Sequence, residues 1–317
     1  NPDSFESHRI SPVVTMVVMV LIVLGGLGFV VLEDVRKRIL GRRKRLTLHS
    51  RIVLAATAVF IIGGAVGYLL LLPADVYPAG GAEAAGAARS GAFAGDAAGS
   101  AAAGAAANAA GSAAAGALAG DAVGPTPSAR LLNALFQSIT TRTAGFNTIP
   151  QGDLPLPARF LTLILMLIGG APGSTAGGLK VTTVVLVVAA ALTGTDRQGD
   201  LQLGRRRVAP GIVANAFVFA VKALPLLAVA VFALLLTQRV MPGERWAFTD
   251  VVFEAVSAFA TVGLSTGITP ELSASAKLVI IATMIAGRLG LVSLVMPVDR
   301  KEKRHAIDYP RGNVLLG

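Results

Sequence analysis

The chain has 317 residues, of which 54% are hydrophobic and only 15% charged, and it contains no cysteine. With a positive mean hydropathy of +0.69, this is the composition of a multi-span membrane protein, and it sets aside an ordinary soluble domain. The absence of cysteine excludes disulfides, thiolate metal sites and cysteine nucleophiles, and the formal charge of +10 needs a distribution before it implies a partner.

Arg36, Lys37, Arg38, Arg42, Arg43, Lys44, Arg45 and Arg51 crowd one inter-span segment. Arg205, Arg206 and Arg207 fill the next, and Arg300, Lys301, Lys303 and Arg304 form a tail. The segments 73–139 and 238–260 carry only Arg89 and Arg130, then Arg239 and Arg245. This asymmetry places the basic segments and the C-terminus in the cytoplasm and the other loops outside, in a cytoplasmic (inner) membrane. Anionic lipid headgroups or a cytoplasmic partner subunit are then the expected counterparts, not nucleic acid. His8, His49 and His305 lie far apart near span ends and read as solvated interfacial residues.

In chain order, residues 1 to 11 are polar, and Pro12 opens the apolar run 13–32, long enough for one helical span. The glycines in Leu24-Gly25-Gly26-Leu27-Gly28-Phe29 allow close helix approach or a kink, and Glu33 and Asp34 are expected to close the span. A second span runs over 52–72, ending at Pro73. Residues 79–124 are nearly all Ala, Gly and Ser and read as a flexible outer insertion. The chain begins with Asn and shows no charged region and cleavage site ahead of its first span, so it reads as a fragment or a processed product.

The apolar run 131–139 is too short to span, so it suits a helix that enters the membrane and stops, followed by Thr140-Thr141-Arg142-Thr143-Ala144-Gly145-Phe146-Asn147-Thr148. Residues 158–168 start a third span, interrupted by Gly169-Gly170-Ala171-Pro172-Gly173-Ser174-Thr175-Ala176-Gly177-Gly178-Leu179-Lys180 and resumed over 181–192. Glycines and a proline in this number break a helix, and backbone freed at membrane depth belongs beside an aqueous path or inside protein. A phosphate-binding loop is unlike this segment, because Lys180 is followed by Val181 and not by Ser or Thr.

A fourth span covers 212–237, with Lys222 and Pro225 inside it. Then the short-helix pattern returns: residues 248–259 lead into Thr261-Val262-Gly263-Leu264, and a last helix covers 276–298 with Arg288 between Gly287 and Gly290. An arginine at such depth needs carbonyl or carboxylate partners. Leu24-Gly25-Gly26, Ile168-Gly169-Gly170 and Ile285-Ala286-Gly287 fall at similar depths, so the repeating unit is outer helix, pore helix, filter strand, inner helix. Extended Thr-x-Gly backbone turned toward an axis offers carbonyls to a dehydrated monovalent cation, and helix C-termini aimed at the site favour positive charge.

On these motifs the chain resembles the Ktr/Trk/HKT superfamily of K⁺ transporters, and most of all the membrane subunit of bacterial Ktr systems. The resemblance implies an all-α polytopic protein with four helix–pore loop–helix units around a pseudo-fourfold pore. Residues 1–45 would hold the inner helix of the second unit and a basic linker, 46–204 the third unit, 205–299 the fourth, and 300–317 a cytoplasmic tail. By resemblance, Thr143, Ala144, Gly145, Phe146, Thr261, Val262, Gly263 and Leu264 form K⁺-filter segments that hold the ion through backbone carbonyls. Gly169, Gly170, Gly173, Ser174, Thr175, Gly177, Gly178 and Lys180 would form an intramembrane gating loop contacted by Arg288. The implied activity is K⁺ uptake without covalent chemistry or organic cofactor, with Na⁺ as a coupling ion still open. The implied partners are a second copy of the subunit and a cytoplasmic nucleotide-binding ring. A secondary transporter of small solutes built on broken helices is the alternative, with Glu254 as its main intramembrane acid.

Overall fold

The computed structural model describes residues 12–42, 45–73, 126–194, 200–203, 206–238 and 246–295. The insertion 79–124, the tail 300–317, His8, His305 and Arg205 lie outside the described residues. Nine helices are described: α1 Pro12–Leu27, α2 Phe29–Ile39, α3 Leu48–Leu71, α4 Pro127–Thr140, α5 Leu156–Leu167, α6 Val181–Thr193, α7 Pro210–Gln238, α8 Phe248–Ala260 and α9 Ala274–Val295. By length and composition α3 and residues Pro210–Thr237 of α7 can each cross a membrane, with mean hydropathies of 2.2 and 2.5.

The run 13–32 is not one straight helix, and the kink that its glycines allow is present. α1 stops at Leu27, and α2 starts at Phe29 with its axis turned by 103°. Gly28 makes the corner: its φ is +77°, and a Cβ there would sit 2.7 Å from the Pro172 carbonyl oxygen. Nor do Glu33 and Asp34 end the helix. Glu33 pairs with Arg36 at 3.4 Å and Lys37 at 3.3 Å, one turn on, and so supports helix through what reads as a linker. Asp34, buried, accepts from Thr47 N at 2.8 Å and Thr47 Oγ1 at 2.9 Å. Thr47 is itself the N-cap of α3, accepting from Ser50 N at 3.2 Å, so α2 is tied to the start of the next span.

The two short helices behave alike. α4 begins with Thr126 as N-cap and Pro127 in its first turn, and it buries Ala134 and residues 136–140 at its far end. α8 begins with Asp250 Oδ2 accepting from Ala247 N at 3.0 Å and buries Val251 and residues 253–260. Each is gripped by longer helices, α4 by α3 and α8 by α7 and α9. One core joins Tyr68 and Leu72 of α3 to Ala134, Ile149 and Ala158; its counterpart joins Leu234 of α7 to Val251, Ala255, Ala258 and Ala276. Between the two units, Met166 of α5 packs on Phe253, Val256 and Ala260 of α8, and Arg159 pairs with Asp250 at 2.7 Å.

One feature lies outside the all-helical expectation. Strands β1 Leu201–Leu203 and β2 Arg206–Val208 form an antiparallel hairpin in the register Leu201↔Val208, with Leu201 buried against Ala190 and Val213. The division expected between 204 and 205 falls inside this hairpin.

Where α9 crosses α8 the backbones meet. A Cβ on Gly287 would collide with the Phe259 carbonyl group, whereas a Cβ on Gly63 of α3 would meet nothing within 4 Å. Gly287→Ala is therefore expected to destabilise the folded protein by about 1–3 kcal/mol, the usual cost of overpacking. Gly63→Ala should be neutral, with thermal denaturation in detergent as the measurement.

Candidate functional site

The two Thr-x-Gly segments adopt the same backbone. Thr143 and Thr261 have φ of +59° and +53°, and they are the only non-glycine residues with positive φ among the described residues. Gly145 and Gly263 follow at +73° and +90°, with Ala144 and Val262 between them at negative φ. Alternation of hand lets successive carbonyls point to one side, which a pleated strand of period two does not allow. A threonine in the left-handed region costs about 1–2 kcal/mol, and both segments accept it at the equivalent position.

Each segment is fastened to the last turn of its own short helix. Ala144 N donates to Thr140 O at 3.2 Å, and the Thr140 hydroxyl donates to the Phe146 carbonyl. In the second unit Thr261 N donates to Ala258 O at 3.0 Å, Val262 N to Ser257 O at 2.9 Å and Gly263 N to Ser257 Oγ at 3.2 Å. The C-terminal, partially negative ends of α4 and α8 thus run straight into the two segments. The segments touch at their glycines: a Cβ on Gly145 would lie 3.2 Å from Gly263 Cα and would overlap the Val262 carbonyl oxygen.

The Gly-rich stretch is a compact loop between α5 and α6. A parallel bridge joins Ile168 to Leu179, with Gly169 N donating to Leu179 O at 2.8 Å and Leu179 N to Leu167 O at 3.3 Å. Inside it Ser174 Oγ donates to Ala171 O at 2.6 Å, and Lys180 Nζ donates to Ala176 O at 2.5 Å. Gly177 lies against Ala260 and Thr261, where a Cβ would come within 2.9 Å of Ala260 O, and Gly178 lies against Ala260. The Arg288 guanidinium donates to the Thr175 carbonyl from α9. The loop thus meets the base of the second Thr-x-Gly segment on one side and α9 on the other.

Two partners of the loop, expected from the sequence only as a place of close helix approach or a kink, were not among the expected gate residues. Gly26 O, at the end of α1, accepts from Ala171 N at 2.9 Å, and Phe29 N, at the start of α2, donates to Gly173 O at 3.4 Å. The run of glycines at 25–28 was the available signal, since glycines at a corner also admit foreign backbone. Arg142 is the other omission: it is buried behind the first segment, with Nη1 donating to Thr57 Oγ1 at 3.3 Å and its guanidinium 5.8 Å from the Phe60 ring centre. Glu254, the acid of the alternative reading, is buried and accepts from Ser265, Thr266 and Thr269.

Residues 117–304 match the family described as TrkH, cation transport protein. The chain belongs to this cation-transport family. It is 31% identical to the potassium/sodium uptake protein NtpJ of Enterococcus hirae, over 99% of this chain and 60% of that protein. It is 29% identical to the Ktr system potassium uptake protein B of Bacillus subtilis, over 100% of this chain and 59% of the relative. To the protein of the same name from Vibrio alginolyticus it is 31% identical, over 99% and 58% respectively. The chain therefore spans about three fifths of the length of these curated relatives. Its fold matches the crystal structure of the potassium transporter TrkH from Vibrio parahaemolyticus with a TM-score of 0.59, at 17% identity, covering 91% of this chain and 53% of that one. The TrkH family is one of cation-transport proteins and not of enzymes.

The geometry separates the two glycines of this TrkH-family chain. A Cβ at Gly263 would find its nearest neighbour, Gly145 Cα, at 3.6 Å, so Gly263→Ala should cost only the left-handed penalty of about 1–2 kcal/mol. Gly145→Ala adds a backbone collision and should cost about 1–3 kcal/mol more. Thermal denaturation of the two purified variants measures the difference.

Proposed function

We propose that this chain is part of a K⁺-uptake subunit in which residues 143–146 and 261–264 are two segments of a cation filter and residues 169–180 are the gate beneath it. The observation that carries the reading is the stacking of a repeated, alternating-hand Thr-x-Gly backbone directly over a Gly-rich loop held by Arg288. A K⁺ ion leaving water needs oxygens held around it, and the turned carbonyls of Thr143, Ala144, Gly145, Phe146, Thr261, Val262, Gly263 and Leu264 supply them. The C-terminal ends of α4 and α8 add a negative potential. Thr261 Oγ1, sealed from solvent and without a hydrogen-bond partner among the described residues, offers one further oxygen at the base.

Two segments that touch at Gly145 and Gly263 do not enclose an ion. In this reading the pore is a pseudo-fourfold ring, this chain supplies the third and fourth units together with the inner helix of the second, and other segments of the complete subunit hold the ring open.

Below the filter, Arg288 and Lys180 grip loop carbonyls at Thr175 and Ala176 and put two positive charges near the ion path. A loop so held obstructs a cation both sterically and electrostatically, and conduction requires it to withdraw. Na⁺ enters as a coupling ion, a reading supported by the potassium/sodium uptake named for the Enterococcus relative. The subunit sits in the bacterial cytoplasmic membrane with its basic segments inside. A homodimer docked on a cytoplasmic nucleotide-binding ring of the RCK type suits the exposed positive charge of Arg36, Arg38, Arg206 and Arg207.

Two measurements in the full-length transporter test the reading, both by ion uptake in a K⁺-uptake-deficient bacterium. Gly263→Ser should lower K⁺ over Na⁺ selectivity by about tenfold, equivalent to ~1.4 kcal/mol; unchanged selectivity would sink the filter assignment. Arg288→Ala, and separately deletion of residues 173–177, should raise flux about tenfold, and flux at the wild-type level in both rejects the gate.

A further inference from the structure

Beyond the Thr-x-Gly glycines the chain turns back toward the long helices, and there the two units use the same device with different charge. In the second unit Glu254, 5% exposed and one turn before Ser257 on α8, accepts from three donors beyond Gly263. Its Oε1 receives the Ser265 hydroxyl and Thr266 N at 3.1 Å, and its Oε2 receives Thr269 Oγ1 at 2.8 Å. Ser265 Oγ also lies 2.9 Å from Thr269 Oγ1 and accepts from Gly267 N at 2.9 Å, so one carboxylate organises the whole returning turn. In the first unit Gln137, eight residues before Gly145 where Glu254 stands nine before Gly263, plays the comparable part on α4: its Oε1 accepts from Gln151 Nε2 at 3.3 Å, with both side chains fully buried. Gln151 and Thr269 each stand six residues beyond their glycine, at 145 and 263. A buried side chain from the short helix thus pins the returning chain beyond each segment, as a neutral amide in one unit and a carboxylate in the other.

We propose that Glu254 is a positioning residue: it holds the outer lip of the 261–264 segment in register through these three hydrogen bonds, and its charge, present in one of the two units only, draws cations to that side of the entrance. Loss of the acceptor leaves Thr266 N–H without a partner and the Ser265 and Thr269 hydroxyls with only each other and Gly267 N, which frees the strand that the glycine made flexible. Loss of the charge alone leaves the bonds in place, because a glutamine oxygen accepts from Thr266 N and Ser265 while its amide donates to the Thr269 hydroxyl.

The proposal rests on the reading of these segments as a cation filter, and the test separates the two. K⁺ over Na⁺ selectivity and the KM for K⁺ are measured by uptake into proteoliposomes with the full-length transporter, at matched amounts of reconstituted protein. Glu254→Gln should keep selectivity within about twofold of wild type and raise the KM for K⁺ about threefold. Glu254→Ala should lower selectivity about tenfold. The double variant Ser265→Ala/Thr269→Val, which keeps α8 intact and decides the matter if Glu254→Ala does not fold, should lower it about threefold. Wild-type selectivity in the double variant overturns the clamp, as does a loss in Glu254→Gln equal to that in Glu254→Ala. Gly263→Ser run in parallel distinguishes the failures: unchanged selectivity there rejects the filter itself, whereas a change there beside an inert double variant leaves the filter standing and removes the clamp.

Discussion

Backbone that leaves the helix at membrane depth must find its hydrogen bonds within the protein, because hydrocarbon offers none. Among the described residues, the two Thr-x-Gly segments and the loop at 169–180 leave the helix, and the polar contacts around them answer that need. Thr140 and Ser257 serve the segments from the last turns of α4 and α8. The loop satisfies itself through the Ile168–Leu179 bridge and reaches outward to Gly26, Phe29 and Arg288 for the rest. A charged side chain is used at that depth where a carbonyl has no backbone partner, which accounts for Arg288 and Lys180 without invoking a separate binding role.

Glycine has a different task at each level of this stack. At Gly145 and Gly263 it supplies positive φ; at Gly177 and Gly287 it lets one backbone lie on another; at Gly28 it does both, turning α1 into α2 by 103° while the loop carbonyl of Pro172 passes. The basic helix α2 is thereby hydrogen-bonded to the loop at one end and, through Asp34 and Thr47, to the start of α3 at the other. The units are also not equivalent: the first has a buried arginine behind its segment and an amide pair at its lip, the second a carboxylate. A pore built from such units presents different electrostatics on different sides, which four identical subunits could not do.

Read alone, the chain discloses a great deal. Its composition and the spacing of its basic residues define a multi-span protein, since hydropathy over about 20 residues is a direct measure of what a bilayer accepts. Thr143–Phe146 and Thr261–Leu264 stand out because short apolar helices ahead of Thr-x-Gly recur twice, and repetition is visible without coordinates. The break at 169–180 is equally plain, because glycine and proline act locally.

What only the tertiary structure decided are the contacts between segments distant in the chain. That α1 ends at Leu27 and not near residue 32 follows from Pro172 lying against Gly28, and helix propensity at 29–32 carries no trace of it. The pairing of β1 with β2 rests on a three-residue ladder too short to show in periodicity. That Glu254 is bonded within a turn depends on where residues 265–269 return, and that Arg142 is buried depends on α3 lying over it. Local pattern determines which residues leave the helix; the partners that satisfy them there are chosen by packing, which sequence spacing does not encode.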